Sequence, residues 1–213
     1  MTTPIRTATP ALILHGTHLS GHVHRVELLL HMLGLPYELV AAPPEVRAGA
    51  AFRAMNPLGQ IPVLQDGELA LADSNAILTY LARRYAPDGG WLSDDPLEAA
   101  EITRWLSVAA GELRFGPAAA RAAALWNMDA DVPRALAIAA RVLAFMEQHL
   151  ATRTFLAAGR PTLADLACYA YVARAPEGGV ALDGYPAVRA WLRRVEALPG
   201  FVPMPDSTAP ARS

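Results

Sequence analysis

The chain has a single cysteine, Cys168, in its 213 residues, so no intrachain disulfide can form. Charge is also sparse. Asp, Glu, Lys and Arg make up 18% of the residues and the net charge is -2, which argues against a nucleic-acid binder, whose surface normally carries a basic patch. Long apolar runs are missing. The longest are too short, or too interrupted by Arg, Glu or Gly, to span a bilayer. The opening MTTPIRTATP has no apolar core of the signal-peptide kind. Together these absences predict a soluble cytoplasmic protein that engages neither nucleic acid nor membrane.

What is present suffices for a substantial core. The composition is 53% hydrophobic, enough for one large domain or two small ones. ALILHG, from Ala11, reads as a short buried strand between Pro10 and Gly16. Val23, Val26, Leu29, Leu30 and Leu33 then recur at helical spacing, and Gly34 stops the helix. YELVAA, after Pro36, is a second strand, and a short helix is expected over about Glu45 to Ala54. Two short strands flank Asp66-Gly67, a strong hairpin signal, and another helix begins at Ser74. The order implies a parallel pair joined by a crossover helix, closed by an antiparallel hairpin.

Residues 87–95 are rich in Pro, Gly and Asp and read as a linker. Beyond them only helices are expected, over Pro96–Ala124, Asp131–Ala151, Thr162–Ala173 and Pro186–Leu198. The tail 202–213 reads as disordered. Thr162 and Asp165 have the spacing of a capping box, with Asp in place of Glu or Gln, and Asp165 is read as structural. Cys168 is read as a small buried hydrophobe.

Three stretches bear on chemistry. In NPLGQIPVL, Pro62 stands where a strand begins. It is either a plain strand-edge proline or part of a cis Ile61–Pro62 bond that would turn the Ile61 N–H and C=O out of the sheet. In DSNAILTYL, Asp73 or Ser74 caps a helix whose free N–H groups can hold an anion, although such residues are also ordinary caps. In GTHLSGHVHRVELLL, Ser20 stands at the mouth of the first helix among histidines. His15, His18, His22, His24 and His31 can be read as a metal cluster. No Cys, Asp or Glu completes a ligand set of convincing spacing, so no metal is expected.

In combination, SGHVHRVELLLHMLGLPYELV, NPLGQIPVL and LADSNAILTYLARRY resemble the thioredoxin-fold half of a glutathione transferase of the bacterial, serine-dependent type. LAAGRPTLADLACYAYVARA and GYPAVRAWLRRVEALPGF resemble its helical half. The resemblance runs from about Ala11 to Phe201. It implies an α/β thioredoxin-like domain over 11–86 that binds glutathione, and an all-α domain over 96–201 that carries the electrophile site. It implies that Ile61, before Pro62, pairs its backbone with the cysteinyl part of glutathione, and that Gln60 meets the glycyl end. Ser74 and its helix N-terminus would hold the γ-glutamyl carboxylate, and Asp73 would face the α-ammonium.

The family handles the glutathione sulfur with Tyr, Ser or Cys near the first helix. Tyr37 already lies in the second strand and Cys168 in the helical half, so Ser20 is the best match. Its hydroxyl would donate to the sulfur and favour the thiolate, while the same hydroxyl as a helix cap would compete with that role. Many bacterial relatives look like Ser-Gly-Asn here; this chain has His22 in the Asn place, read as a surface residue rather than a donor to the sulfur. Arg114, Phe115, Trp126 and Met128 are expected to line the electrophile site between the halves. The expected activity is addition of the glutathione thiolate to a small hydrophobic electrophile, with glutathione as co-substrate and a homodimer as the assembly. Alternatives are isomerisation, dehalogenation or peroxide reduction in the same pocket, or a non-catalytic binding protein.

Overall fold

The structure, a computed structural model, describes residues 12–207. The expected strand start at Ala11 therefore lies outside the described residues. Strand β1, Leu12–Gly16, buries alternate residues. Helix α1, Gly21–Met32, is capped by Ser20 and leads to Gly34 at φ +64°, a backbone conformation glycine adopts without cost. Strand β2 is Tyr37–Ala41. The short helix expected next is two, α2 over Pro44–Ala48 and α3 over Ala50–Met55, because Gly49 takes an extended conformation between them. Strands β3, Val63–Asp66, and β4, Leu69–Ala72, form the hairpin, with Gly67 at φ +61° in its turn. Helix α4 is Ser74–Tyr85. The sheet order is β2-β1-β3-β4, with β1 and β2 parallel and the other pairs antiparallel, as the strand and helix order implied.

Every secondary-structure element among the described residues of the second half is a helix. The single helix expected over Pro96–Ala124 is broken into α5, Pro96–Ala110, α6, Glu112–Phe115, and α7, Pro117–Trp126. Gly111 and Gly116 interrupt it. Pro117 has no N–H to continue the ladder and disfavours helical backbone at the residue before it. A Cβ on Gly116 would lie 2.9 Å from the Ala139 nitrogen of α8, Val132–Leu150, so this break lets α8 approach closely. Helix α9, Leu163–Ala173, is buried from Leu163 through Val172 and forms the axis of the helical half. An apolar surface all round is what a central helix requires. A 3-10 turn, Ala175–Gly178, and helix α10, Pro186–Glu196, complete it.

The capping box at the start of α9 is formed. Asp165 does more than cap. Its Oδ2 accepts from the Thr162 amide at 2.9 Å, and its Oδ1 accepts from the Leu156 amide at 3.0 Å and the Trp191 indole at 2.9 Å. One carboxylate thus fixes α9, the preceding loop and α10. Cys168 is fully buried among these helices, and burial pushes its thiol pKa up.

The tail departs from the expectation of disorder from 202 onward. Met204 is buried, the Val202 carbonyl lies 2.9 Å from His24 Nε2, and Arg174 contacts both the Met204 carbonyl and Asp206. The apolar side chains and the buried His24 outweigh the prolines that suggested a free tail. Residues 208–213 lie outside the described residues.

Two outcomes follow from these buried polar groups. Asp165→Ala would leave three buried N–H groups without an acceptor, and unfolding in urea should show a loss of at least about 3 kcal/mol. A loss below about 1 kcal/mol would mean that water replaces the carboxylate. His24 is nearly inaccessible and its Nδ1 has no partner. Burial, outweighing the Val202 hydrogen bond, lowers its pKa from 6.5 to about 4. Above pH 6.5 the ring is neutral whether folded or not. Between pH 6.5 and about 4 the unfolded chain takes up a proton that the folded chain refuses, so stability falls as pH falls. His24→Gln should lower the acid-side slope of unfolding free energy by up to about 1.4 kcal/mol per pH unit, measured between pH 7 and 5. An unchanged slope would show that His24 does not govern it.

Candidate active site

Sheet register decides where the interesting turns lie. His15 pairs with Val63, and Val63 with Ala72. The strands on either side of each pairing run antiparallel, so the end of β1, the start of β3 and the end of β4 lie side by side. Thr17–Ser20, Gln60–Pro62 and Asp73–Ser74 all extend from that same end.

Ser20 holds the first turn. Its amide donates to the Thr17 carbonyl at 3.0 Å, and its half-buried Oγ accepts from the Val23 amide at 3.4 Å, a long capping bond. The helical half braces this turn through Arg121 of α7, which is buried. Its Nη1 donates to the Leu19 carbonyl at 2.9 Å and its Nε to Glu177. The next residue, Gly21, faces Tyr171 of α9. A Cβ on Gly21 would lie 2.5 Å from the Tyr171 ring, so only glycine allows the approach.

The second turn contains a cis Ile61–Pro62 peptide bond, and Pro62 is buried. The buried Asn56 organises the loop: its Nδ2 donates to the Gln60 carbonyl at 2.8 Å and its Oδ1 accepts from the Leu58 amide at 3.1 Å. The Gln60 side chain is exposed. The Ile61 N–H and C=O make no hydrogen bond to the described residues.

The third turn is the N-terminus of α4. Asp73 is its cap: Oδ1 accepts from the Asn75 amide at 2.9 Å and the Ala76 amide at 3.0 Å. Asp73 adopts φ +73° and ψ 122°, a combination that non-glycine residues rarely take and that concentrates at functional sites. Ser74, the first helical residue, is buried.

His22 is not the surface residue expected from sequence. Its Nδ1 lies 3.0 Å from Ser74 Oγ, and its ring stands edge-on to Tyr171 at 5.2 Å. Burial, with help from Arg25 and Arg114, lowers its pKa to about 3, so it is neutral near pH 7. Arg25, one turn further along α1, is fully buried and donates to Ser74 Oγ at 3.3 Å and Asn75 Oδ1 at 3.0 Å. A sequence signal for both existed. Polar residues at i and i+3 share a helix face, and where that face is buried they need partners. Asn56 and Arg121 carried no comparable signal, because the partners of Arg121 lie far along the chain and those of Asn56 are main-chain groups set by a loop.

Of the residues expected around a second substrate, Arg114 is half-buried and close enough to depress His22. Phe115, Trp126 and Met128 are exposed, on α6, at the end of α7 and just beyond it. The Arg114 and Arg121 guanidinium groups lie 5.6 Å and 5.0 Å from the Phe115 and Trp126 rings. The histidines have separate partners: His15 bonds Gln65, His18 meets Glu27 and His24 bonds Val202. Among the described residues no three His, Cys, Asp or Glu side chains gather as a ligand set.

Comparison with known proteins agrees with this architecture. Residues 14–89 match the family model for the glutathione S-transferase N-terminal domain, and residues 99–199 that for the C-terminal domain. Glutathione S-transferase 3 of Zea mays is 35% identical over 208 residues, covering 89% of this chain and 91% of that protein. A crystal structure of glutathione S-transferase from Pseudomonas fluorescens superposes with a TM-score of 0.85 at 32% identity, covering 92% of this chain and 99% of that one. The theta class enzyme of Xanthomonas axonopodis pv. citri, crystallised with glutathione bound, gives a TM-score of 0.79 at 26% identity, covering 90% and 95%. With the fold, both domain matches and full-length relatives in agreement, the chain belongs to the glutathione S-transferase family and is a glutathione transferase.

Proposed function

We propose that the chain adds the sulfur of glutathione to a small hydrophobic electrophile, with Ser20 as hydrogen-bond donor to the thiolate. The observation that carries this reading is the sheet register, which puts the Ser20, Ile61–Pro62 and Asp73–Ser74 turns side by side. The relative with bound glutathione supports the choice of ligand. Ile61 offers an unpaired N–H and C=O to the cysteinyl unit, and Pro62 shapes that turn. The exposed Gln60 takes the glycyl end. Ser74 and the α4 amides take the γ-glutamyl carboxylate, an anion suited to a helix N-terminus. Asp73 caps α4 with Oδ1 alone, so its Oδ2 is left for the α-ammonium.

Capping and thiolate binding do not compete at Ser20 as the sequence suggested. The Val23 amide uses a lone pair of Oγ. The sulfur would take the hydroxyl proton, which a cap leaves free, and accepting one bond polarises the hydroxyl toward donating another. Chemically, the thiol proton leaves to solvent and the thiolate attacks. A sulfur–carbon bond then forms, and with an aryl halide the halide departs with its bonding electrons. The electrophile would lie between the halves, near Arg114, Phe115, Trp126 and Met128. We further propose residues 11–86 and 96–201 as the glutathione and electrophile domains, joined by 87–95, in a cytoplasmic homodimer that a molecular mass in solution would test.

Ser20→Ala should reduce kcat/KM with an aryl halide by about tenfold or more, the effect of losing one hydrogen bond to a charged sulfur. Calorimetric affinity for glutathione should change by no more than about threefold. The pH at which bound glutathione acquires its ultraviolet thiolate band should rise by roughly one unit. Turnover equal to that of the parent protein would remove Ser20 from the mechanism.

A further inference from the structure

Arg25 is fully buried, yet it makes no ion pair among the described residues, and its Nε and Nη2 have no hydrogen-bond partner. The Tyr171 ring lies 5.5 Å from the guanidinium carbon, and the Asp73 carboxylate acts on the charge from a distance, without an ion-pair contact. An arginine keeps its charge at neutral pH, and an unpaired buried cation is costly. The charge is delivered to one place. Nη1 donates to Ser74 Oγ at 3.3 Å and to Asn75 Oδ1 at 3.0 Å, both in the first turn of α4. Asn75 is fixed in turn by the Leu106 carbonyl, which its Nδ2 reaches at 3.0 Å. Nearby Asp73 spends its Oδ1 on the α4 amides.

His22 meets the same oxygen from the other side, with Nδ1 3.0 Å from Ser74 Oγ. A neutral imidazole allows two arrangements. In the first, Ser74 donates its proton to Nδ1, and its hydroxyl has nothing left to give. In the second, Nδ1–H donates to Ser74. Arg25 and His22 then both donate into Oγ, and the hydroxyl proton must point elsewhere. An anion at the α4 N-terminus selects the second.

We propose that His22 and Arg25 are positioning residues that aim the Ser74 hydroxyl at the γ-glutamyl carboxylate of glutathione. This rests on the glutathione reading above. It gives His22, read from sequence as a surface residue, a part in binding the carboxylate rather than the sulfur. The unpaired charge of Arg25 is balanced when that carboxylate is bound.

The test is calorimetric titration with S-methylglutathione and with its analogue lacking the γ-glutamyl α-carboxylate, S-methyl-4-aminobutanoyl-cysteinylglycine. The blocked sulfur removes thiolate effects from both. His22→Phe keeps a ring against Tyr171 and deletes the hydrogen bond. It should weaken S-methylglutathione by about tenfold and leave the analogue unchanged. His22→Asn, whose amide N–H occupies the place of Nδ1–H, should recover most of that loss. Arg25→Lys should bind better than Arg25→Met, and the difference should vanish with the analogue. If Arg25→Met does not fold, the His22 pair alone decides. Equal weakening of both ligands by His22→Phe, or none, overturns the positioning role while leaving the glutathione reading intact. Failure of the parent protein to bind S-methylglutathione overturns both.

Discussion

The pairing of β1 with β3, and of β3 with β4, is the constraint on which the site depends. Leu14 faces Leu64 across the first ladder and both are buried. The Asp66-Gly67 turn fixes the second. A slip of one residue in β3 would turn its buried side chains to the opposite face. It would also carry Ile61 away from the end of β1, and Ser74 away from the first turn of α1. Core packing and the placement of three turns are therefore a single requirement on this sheet.

Helix α1 joins that sheet to the helical half. Its valines and leucines are buried, but so are three polar residues: Arg25 faces Tyr171 of α9, His24 lies between Tyr169 of α9 and Val202 of the tail, and Glu27 accepts from Tyr37 of β2. The contact is tight at Gly21, where the Tyr171 ring occupies the space a methyl group would need. Tyr171 also lies within the influence of Arg25, Arg114 and Arg121. Only Arg121 has a carboxylate partner among the described residues, Glu177. The seam between the halves thus holds more positive charge than its own residues neutralise, beside the turns described above. Depression of the His22 pKa follows chiefly from burial, with Arg25 and Arg114 adding to it.

Features written in a few adjacent residues were legible in the sequence. The hairpin at Asp66-Gly67 and the capping box from Thr162 to Asp165 are each specified within a few positions, and each is formed; Pro62 does stand just before β3, but its neighbours left open whether the bond is cis. Features set by distant packing were not. The breaks at Gly111 and Gly116 pass unnoticed in an alanine-rich run, and although Pro117 marks the second locally, nothing local shows that α8 packs against Gly116. The tail looked free because nothing local shows that Val202 meets His24, 178 positions away in sequence. His22 was misread for the same reason: its partner is Ser74, in another element. The order of turns could be read from the chain, but the hydrogen bonds that tie them together could not.

Ser20 and Ser74 show why residue type alone assigns no role. Both are serines at the start of a helix. Ser20 Oγ receives one amide N–H and its proton has no competing acceptor among its described partners. Ser74 Oγ receives a guanidinium N–H and lies beside an imidazole nitrogen that can either take its proton or give one. A hydroxyl has one proton and two lone pairs, so what enters it determines where its proton goes. At Ser20 the proton is free from the outset. At Ser74 it is conditional on the tautomer of His22, and the tautomer is conditional on what occupies the α4 N-terminus.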